Sequence, residues 1–346
     1  MKKYLLYFAL HYPKSEIEDY IKMIHQSEYH LNETITNDSY AFLVQEYEKA
    51  KPNSKFLYEY ISEDIVRVNL GNYKASEFSL HYLFDSFKET INNNQGSIAS
   101  MDEKLTLLLD LIKSKEIALD YDDSLKKIED YKKAGYPVIH HSEAFKKAYD
   151  PHYRIIQSSN LTPGLKDFHL FYFLDNLIKE KNKLIIAIDG RSSSGKTTVA
   201  QTLKEKYNAT IIHIDHFFLP NFLKTKERLA EIGGNINYEE IEKVLREIKH
   251  NTTYTYQAFD CKVQEYYPVT IETSNLIVFE GVYSLHERLF PYYDASVFLT
   301  LSKKEQISRL KQRETPATYL QFLNEWIPLE NEYFTDNLYK KIGIII

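Results

Sequence analysis

The 346-residue sequence predicts an α/β fold, with a doubly wound, mostly parallel sheet in the C-terminal half and a mixed, mainly helical domain before it. Three observations point there. An apolar, β-branched run, Leu184 to Ile188, stops at Asp189-Gly190 and leads through GRSSSGKT into the helically spaced TTVAQTLKEKY. Two later apolar runs, Ile211 to Ile214 and Leu276 to Phe279, each end in an acid, Asp215 and Glu280. Residues 1–135 mix helical spacing with one or two strands and carry no catalytic signature.

Gly190 and Gly195, separated by four residues and followed by Lys196 and Thr197, fit the G-x-x-x-x-G-K-[ST] pattern between a strand and a helix. The fold is thereby that of a P-loop NTPase. Glycines let the backbone curl until successive N–H groups converge, and the helix N-terminus adds its partial positive charge to a bound phosphate. The nucleotide-binding set is Gly190, Arg191, Ser192, Ser193, Ser194, Gly195, Lys196, Thr197 and Thr198, with ATP and Mg²⁺ as the expected cofactors. Lys196 reaches the β- and γ-phosphates, Thr197 takes a Mg²⁺ position, and Thr198 falls in the first helical turn.

Bulk properties narrow the partners. A net charge of -6 and a pI near 6.1 exclude a nucleic-acid protein held by phosphate contacts, since neither half carries a basic stripe. The single cysteine, Cys261, excludes an internal disulfide and suits a reducing compartment, so the cytoplasm is the expected location. The opening MKKYLLYFAL reads as a buried first helix or strand, and no run approaches the length of a spanning helix, so no membrane partner is expected. The expected partner is a small-molecule substrate; a homo-oligomer is left open.

Three domains follow in order. Residues 1–135 form an accessory domain with helices at SEIEDYIKMIHQ and from Asp102 to Ala118, the latter with a wide face of Leu105, Leu107, Leu108, Leu109, Leu111 and Ile112. Between them, KFLYEYISEDIVRVNLGNY reads as one or two strands closing at Gly71-Asn72, and Ile91 to Ser97 as a polar linker. The many tyrosines suit either packing or a stacking surface for bases, and the lack of accompanying basic residues favours packing. Residues 136–182 form a connector with helices. Its His140, His141, Glu143 and His152 lack diagnostic metal-ligand spacing, and the plainer reading is Ser142 as the N-cap of a 143–149 helix ended by Pro151. Residues 165–180 make an aromatic amphipathic helix.

The third domain, residues 183–346, resembles the uridine kinase, phosphoribulokinase and pantothenate kinase group. DGRSSSGKTT followed about twenty residues later by IDHFFLP carries the resemblance, and FEG at Phe279-Glu280-Gly281 adds to it. The resemblance implies that Asp215 accepts the proton of the acceptor hydroxyl or helps place Mg²⁺, and that Phe217 or Phe218 lines the acceptor pocket. Glu280, in a Walker B arrangement, holds Mg²⁺ or its water. Asn237, also the N-cap of a helix to about Ile248, stands where the uridine kinases have an Asp. Phe259, Asp260 and Lys262 lie in the stretch that contacts substrate, and Gln264 replaces a His there. His213 and His216 form an HxxH pair that strand geometry keeps from sharing a face.

A fourth strand is expected over Ala295 to Ser302, and the following helix sets Arg309 and Arg313 four apart. In a chain where lysine outnumbers arginine several-fold, they read as donors to the transferring phosphoryl or as a solvated face paired with Glu305 or Glu314. The aromatic cluster around Trp326 packs on the domain, and Gly343 to Ile346 closes with a short strand. The expected activity is transfer of the ATP γ-phosphate to a hydroxyl of a small molecule, a nucleoside first. The alternatives are a pantothenate or sugar acceptor, or a non-transferring ATPase switch acting on the N-terminal domain.

Overall fold

The computed structural model describes residues 1–30, 35, 36, 38–53, 56–93 and 96–346. The chain divides into two compact units, Met1–Leu174 and Asp175–Ile346.

In the first unit, helices α1 (Lys2–His11), α2 (Ile17–Tyr29) and α3 (Ser39–Lys49) precede strands β1 (Tyr58–Tyr60) and β2 (Ile65–Asn69). There follow α4 (Leu70–Tyr73), α5 (Leu80–Asn92), α6 (Ile98–Lys113), α7 (Tyr121–Lys133), α8 (Glu143–Tyr149), β3 (Tyr153–Gln157) and α9 (Pro163–Glu180), within which the two units divide. The opening segment is a helix that buries Tyr4, Leu5, Leu6, Tyr7 and Phe8. At the start of α2, Asp19 Oδ2 accepts from the Glu16 amide at 2.9 Å, satisfying one of the free N-terminal donors. Tyr20, Tyr58, Tyr60 and Tyr73 are packing residues of this core.

Several elements differ from the sequence reading. The helix expected from Asp102 starts earlier, at Ile98, because Ser97 caps it through the Ser100 amide. Its buried stripe is Met101, Leu105, Leu108, Leu111 and Ile112, with Leu107 and Leu109 half-buried at its flanks. Gly71-Asn72 does not close a hairpin. Asn69 ends β2 and accepts from the Asn72 amide at 2.9 Å, starting α4 instead. Of the 91–97 linker, 94 and 95 lie outside the described residues, as does 55 at the head of the first strand run. The stretch read as a plain connector contributes β3, which pairs antiparallel with β2, Val68 opposite Arg154, in a sheet of order β1-β2-β3. Ser142 does cap α8, through the Phe145 amide at 3.1 Å. His141 is buried between Asp19 Oδ1 and the Tyr153 hydroxyl, both at 2.7 Å, and His152 lies 3.2 Å from Glu46, so the connector histidines do not converge.

The second unit holds β4 (Leu184–Gly190), α10 (Lys196–Tyr207), β5 (Thr210–His213), α11 (Lys226–Leu229), α12 (Tyr238–Glu247), β6 (Thr253–Asp260), β7 (Glu265–Glu272), β8 (Leu276–Glu280) and β9 (Ala295–Leu299). It ends with α13 (Lys303–Arg313), α14 (Pro316–Gln321), α15 (Ile327–Tyr333) and β10 (Ile344–Ile345). The sheet order is β10-β9-β4-β8-β5, every pair parallel. β4 is central and buried along its whole length, which is why it reads as continuous aliphatics; each such side chain contributes about 1.5–3 kcal/mol over exposure. After β8 the chain crosses to the opposite side of β4, so the carboxyl ends of β4, β8 and β9 flank a switch in strand order, where open α/β sheets bind ligands. β6 and β7 form a separate antiparallel hairpin. Trp326 joins Leu310, Phe322 and Ile327 in a local apolar cluster. Among the described residues, no helix is long and apolar enough to cross a membrane.

Candidate functional site

The phosphate loop leaves the buried end of β4 and enters α10. Gly190 has φ +151, and a Cβ there would lie 2.6 Å from the Leu299 carbonyl oxygen, so β9 packs against bare backbone. Gly195 has φ +99 with open space where a Cβ would stand. Lys196 is buried, and its Nζ donates to the Gly190 and Arg191 carbonyls at 2.9 and 3.0 Å. Burial lowers its pKa, while the charges of Asp189, Glu280, Glu330 and Asp215 act in the opposite direction. The Ser193 and Ser194 hydroxyls are buried and find no hydrogen-bond partner among the described residues. Orphaned hydroxyls beside an open glycine and a lysine suit an anion supplying several acceptor oxygens.

Three acids surround this loop. Glu280, at the end of β8, accepts from Thr197 Oγ1 at 3.2 Å, and its Oε1 lies 2.6 Å from His213 Nδ1 at the end of β5. That hydrogen bond raises the His213 pKa, against the opposing effect of burial. Asp215 follows in the turn after β5. The residue is exposed, yet desolvation first and the Glu280 charge second hold its carboxyl above the usual value. Asp189, by contrast, is fully buried. It accepts from the Gly190 and Leu285 amides at 2.7 and 2.9 Å and from the Tyr333 hydroxyl at 2.6 Å, yet desolvation still lifts it to about 6.

Helix α13 presents two arginines that part company. Arg309 donates to the Ser193 carbonyl at 3.1 Å, so it reaches the phosphate loop itself. Arg313 pairs with Glu314 at 2.6 Å, although its charge still acts on Asp215. A clasp that the motifs do not announce comes from α15. Glu330, buried, accepts from the Ser192 amide at 3.1 Å, from the Ser192 hydroxyl in a shorter contact, and from Gln306 Nε2 at 2.8 Å. Arg191 donates to Asn331 Oδ1 at 2.7 Å and lies over the Phe334 ring. Sequence reasoning thus set His213 aside as half of an HxxH pair, gave Asp189 no role beyond ending its strand, and missed Glu330 and Tyr333. The first two stand at strand ends beside motif residues, a usable signal; the last two have none.

The substrate candidates divide. Phe217 is buried and stacked on Tyr256, ring centroids 5.1 Å apart, while Phe218 bridges to Ile236. Asn237 spends its side-chain oxygen on the Glu240 amide at 3.1 Å as the cap of α12, and its own amide donates to the Phe217 carbonyl at 2.7 Å. Phe259 is buried against Tyr266. Asp260 accepts from the Lys262 amide at 2.7 Å and, with Gln264 at φ +59, builds the hairpin turn. Lys262 is exposed at that tip, which is near enough to Asp215 for its charge to act on Cys261. His213 and His216 approach to 5.1 Å between ring centroids, but His216 is held by the Tyr256 hydroxyl at 2.9 Å, and burial lowers its pKa to about 4. Among the described residues no three metal-ligating side chains converge.

With this geometry in place, the model of the Phosphoribulokinase / Uridine kinase family matches residues 185–316. The C-terminal half carries a domain of that family. The kinase-family stretch includes the phosphate loop, Asp215, Glu280 and both α13 arginines, whereas Glu330 and Tyr333 lie beyond it. Two curated relatives come from Dictyostelium discoideum. Uridine-cytidine kinase D is 28% identical over 135 residues, 38% of this chain and 27% of that protein. Uridine-cytidine kinase B is 25% identical over 153 residues, 40% of this chain and 62% of that protein. The chain thus spans about a quarter of the first relative's length and under two thirds of the second's. Among solved structures, a possible uridine kinase from Bacillus stearothermophilus is similar at TM-score 0.40 and 20% identity, covering 50% of this chain and 96% of that one. Phosphoribulokinase from Rhodobacter spheroides gives TM-score 0.31 at 14% identity, covering 44% and 68%.

Proposed function

We propose that the second unit is an ATP-dependent small-molecule kinase that passes a phosphoryl group to an acceptor hydroxyl, with a nucleoside as the acceptor class. The observation that carries the reading is the convergence at the carboxyl ends of the sheet strands of a phosphate loop with Lys196, a Thr197–Glu280 pair and an Asp215 carboxyl on which the Glu280 and Lys196 charges act. The uridine-cytidine kinase relatives support the nucleoside; Asn237 acting as a cap and Gln264 as a turn residue leave the base-binding side of the pocket open to another ring.

In this reading ATP lies on residues 190–198, with its phosphates meeting loop amides, the orphaned Ser193 and Ser194 hydroxyls and Lys196. The exposed Thr197 hydroxyl and the buried Glu280 carboxylate, 3.2 Å apart, are hard oxygen donors, which fits a Mg²⁺ that keeps most of its waters. When bound, the metal neutralises charge on the phosphates. Asp215 orients and deprotonates the acceptor hydroxyl, and its raised pKa brings it closer to the value a general base needs. Arg309, already at the loop, and Arg313 stabilise charge on the phosphoryl group as it transfers. Catalysis of this kind is positioning and electrostatics.

The test is ADP release from purified protein with Mg²⁺ and ATP, alone and then with pooled nucleosides, pantothenate, or sugars and sugar phosphates. A rate that rises only with nucleosides supports the full reading. A rise with another pool keeps the kinase and replaces the acceptor, and a basal rate that no pool changes replaces the kinase with an ATPase switch.

A further inference from the structure

Strand β2 reads Ile-Val-Arg-Val-Asn, and the fold buries its one charge. Arg67 is 2% exposed, with its guanidinium carbon 5.6 Å from the Phe8 ring centroid and 4.9 Å from that of Tyr153. Nε donates to Gln26 Oε1 at 3.0 Å, but Nη1 and Nη2 find no hydrogen-bond partner among the described residues. Glu59 stands directly across the β1–β2 ladder from Arg67, its Oε1 3.6 Å from Nη1. That distance offsets the charge and is too long for a hydrogen bond. A buried guanidinium with two empty donors is costly to keep, and a fold that keeps one without filling it leaves room for an outside acceptor.

The room is present. A cavity of about 230 Å³ meets Arg67 and Glu59 and is walled by Tyr12, Phe56, Phe145 and Tyr149. The charges there cancel, so a neutral occupant fits better than an ion. Most of the remaining wall is aromatic, with Asn53, Asn69, His11 and His152 between the rings, so a flat occupant fits. Its polar edge must give an acceptor to Arg67 and a donor to Glu59, whose carboxyl burial pushes up and which, already accepting from the Tyr12 hydroxyl, has lone pairs left for a second donor. A lactam, with its carbonyl and N–H side by side on one ring edge, supplies both.

We propose that this cavity in the first unit is a binding site for a small, uncharged, single-ring lactam. The carbonyl accepts from the Arg67 fork, the N–H donates to Glu59, and the ring lies among the aromatic side chains. No transfer chemistry is involved.

The experiment uses the full-length protein and three probes in calorimetric titration and thermal unfolding: 2-pyridone, 1-methyl-2-pyridone, which lacks the N–H, and benzoate, which is an anion. The expected result is saturable one-to-one binding of 2-pyridone that raises the unfolding midpoint, with 1-methyl-2-pyridone and benzoate weaker by about tenfold or more, the cost of one unpaired buried group. Arg67→Met is expected to lose 2-pyridone by at least the same factor, and Glu59→Gln, which preserves shape, by a smaller one. Should Arg67→Met fail to fold, the ranking of the three probes on the unaltered protein together with Glu59→Gln still decides. Absence of 2-pyridone binding in the millimolar range, equal binding of the N-methyl probe, preference for benzoate, or binding unchanged in every folded variant would each overturn the proposal.

Discussion

Replacing Tyr333 with Phe removes one oxygen and nothing else. The ring keeps its place beside Tyr283, ring centroids 4.8 Å apart, and no cavity opens. What is lost is a 2.6 Å hydrogen bond to Asp189 Oδ2, at a carboxyl with no exposure. A hydrogen bond to a buried charged group is worth about 1.5–3 kcal/mol, and in a unit of this size each kcal/mol moves the midpoint by about 2–4 °C, so Tyr333→Phe is expected to melt roughly 3–12 °C lower at neutral pH. The pH dependence has a definite sign. Asp189 holds its proton to about 6 when folded, against 3.8 when exposed, so its contribution to stability is greatest at low pH and falls as the pH rises from about 4 to 6, by on the order of 3 kcal/mol. The Tyr333 hydroxyl favours the ionised form, so its loss raises the Asp189 pKa further, and the Tyr333→Phe deficit should be small below pH 6, grow as the pH rises above it, and be full only above the variant's raised value. Denaturant unfolding across pH 4.5 to 8, in single variants and in the Asp189→Asn/Tyr333→Phe pair, measures this; the tyrosine change should cost little once Asp189 is an amide. A deficit under about 0.5 kcal/mol at pH 7.5, or one that grows on acidification, refutes the reasoning.

Lys196→Ala should reduce ATP-dependent ADP release by about a hundredfold or more, read by a coupled assay, because no other buried cation stands in the phosphate loop; near-normal release would remove Lys196 from the site. Glu280→Gln should raise the Mg²⁺ concentration for half-maximal rate about tenfold and return the His213 pKa towards its ordinary value, followed by NMR titration. The raised His213 value adds stability that is fully present below about 6.5 and lost as pH rises through the folded value, so this pH dependence should flatten in Glu280→Gln; an unmoved His213 titration would contradict the assignment. In the first unit, Leu108→Ala, at a side chain with no exposure in α6, should cost about 2–5 kcal/mol by urea unfolding, and a cost below 1 kcal/mol would mean the stripe is misplaced.

The phosphate loop was legible because its chemistry is contiguous. Eight residues supply both the curl and the lysine, and the aliphatic run before them suits a strand covered on both faces, as in a parallel sheet. Glu280 and Asp215 were legible for the same reason, each ending an apolar run. Glu330 and Tyr333 were not, since they reach the loop across about 140 residues and come from a helix whose sequence carries only packing signals. β3 was hidden because Tyr153 to Gln157 follows Pro151 in a polar stretch, and its pairing with β2 is a long-range event that no local pattern marks. Asn237 reads identically as a helix cap and as a substitute for a ligand-binding Asp, and the structure shows the cap. Arg67 was not legible either, because one charge in a short strand carries no signal of burial until the sheet and the helix bearing Phe8 enclose it.

The most direct measurement is acceptor-dependent ADP release by the unaltered protein and by Asp215→Asn, with ATP affinity determined in parallel. The account predicts that Asp215→Asn binds ATP within about threefold of the unaltered protein while turnover falls about 10²- to 10⁴-fold. Equal turnover in the two proteins, with the acceptor present and ATP bound, would contradict it.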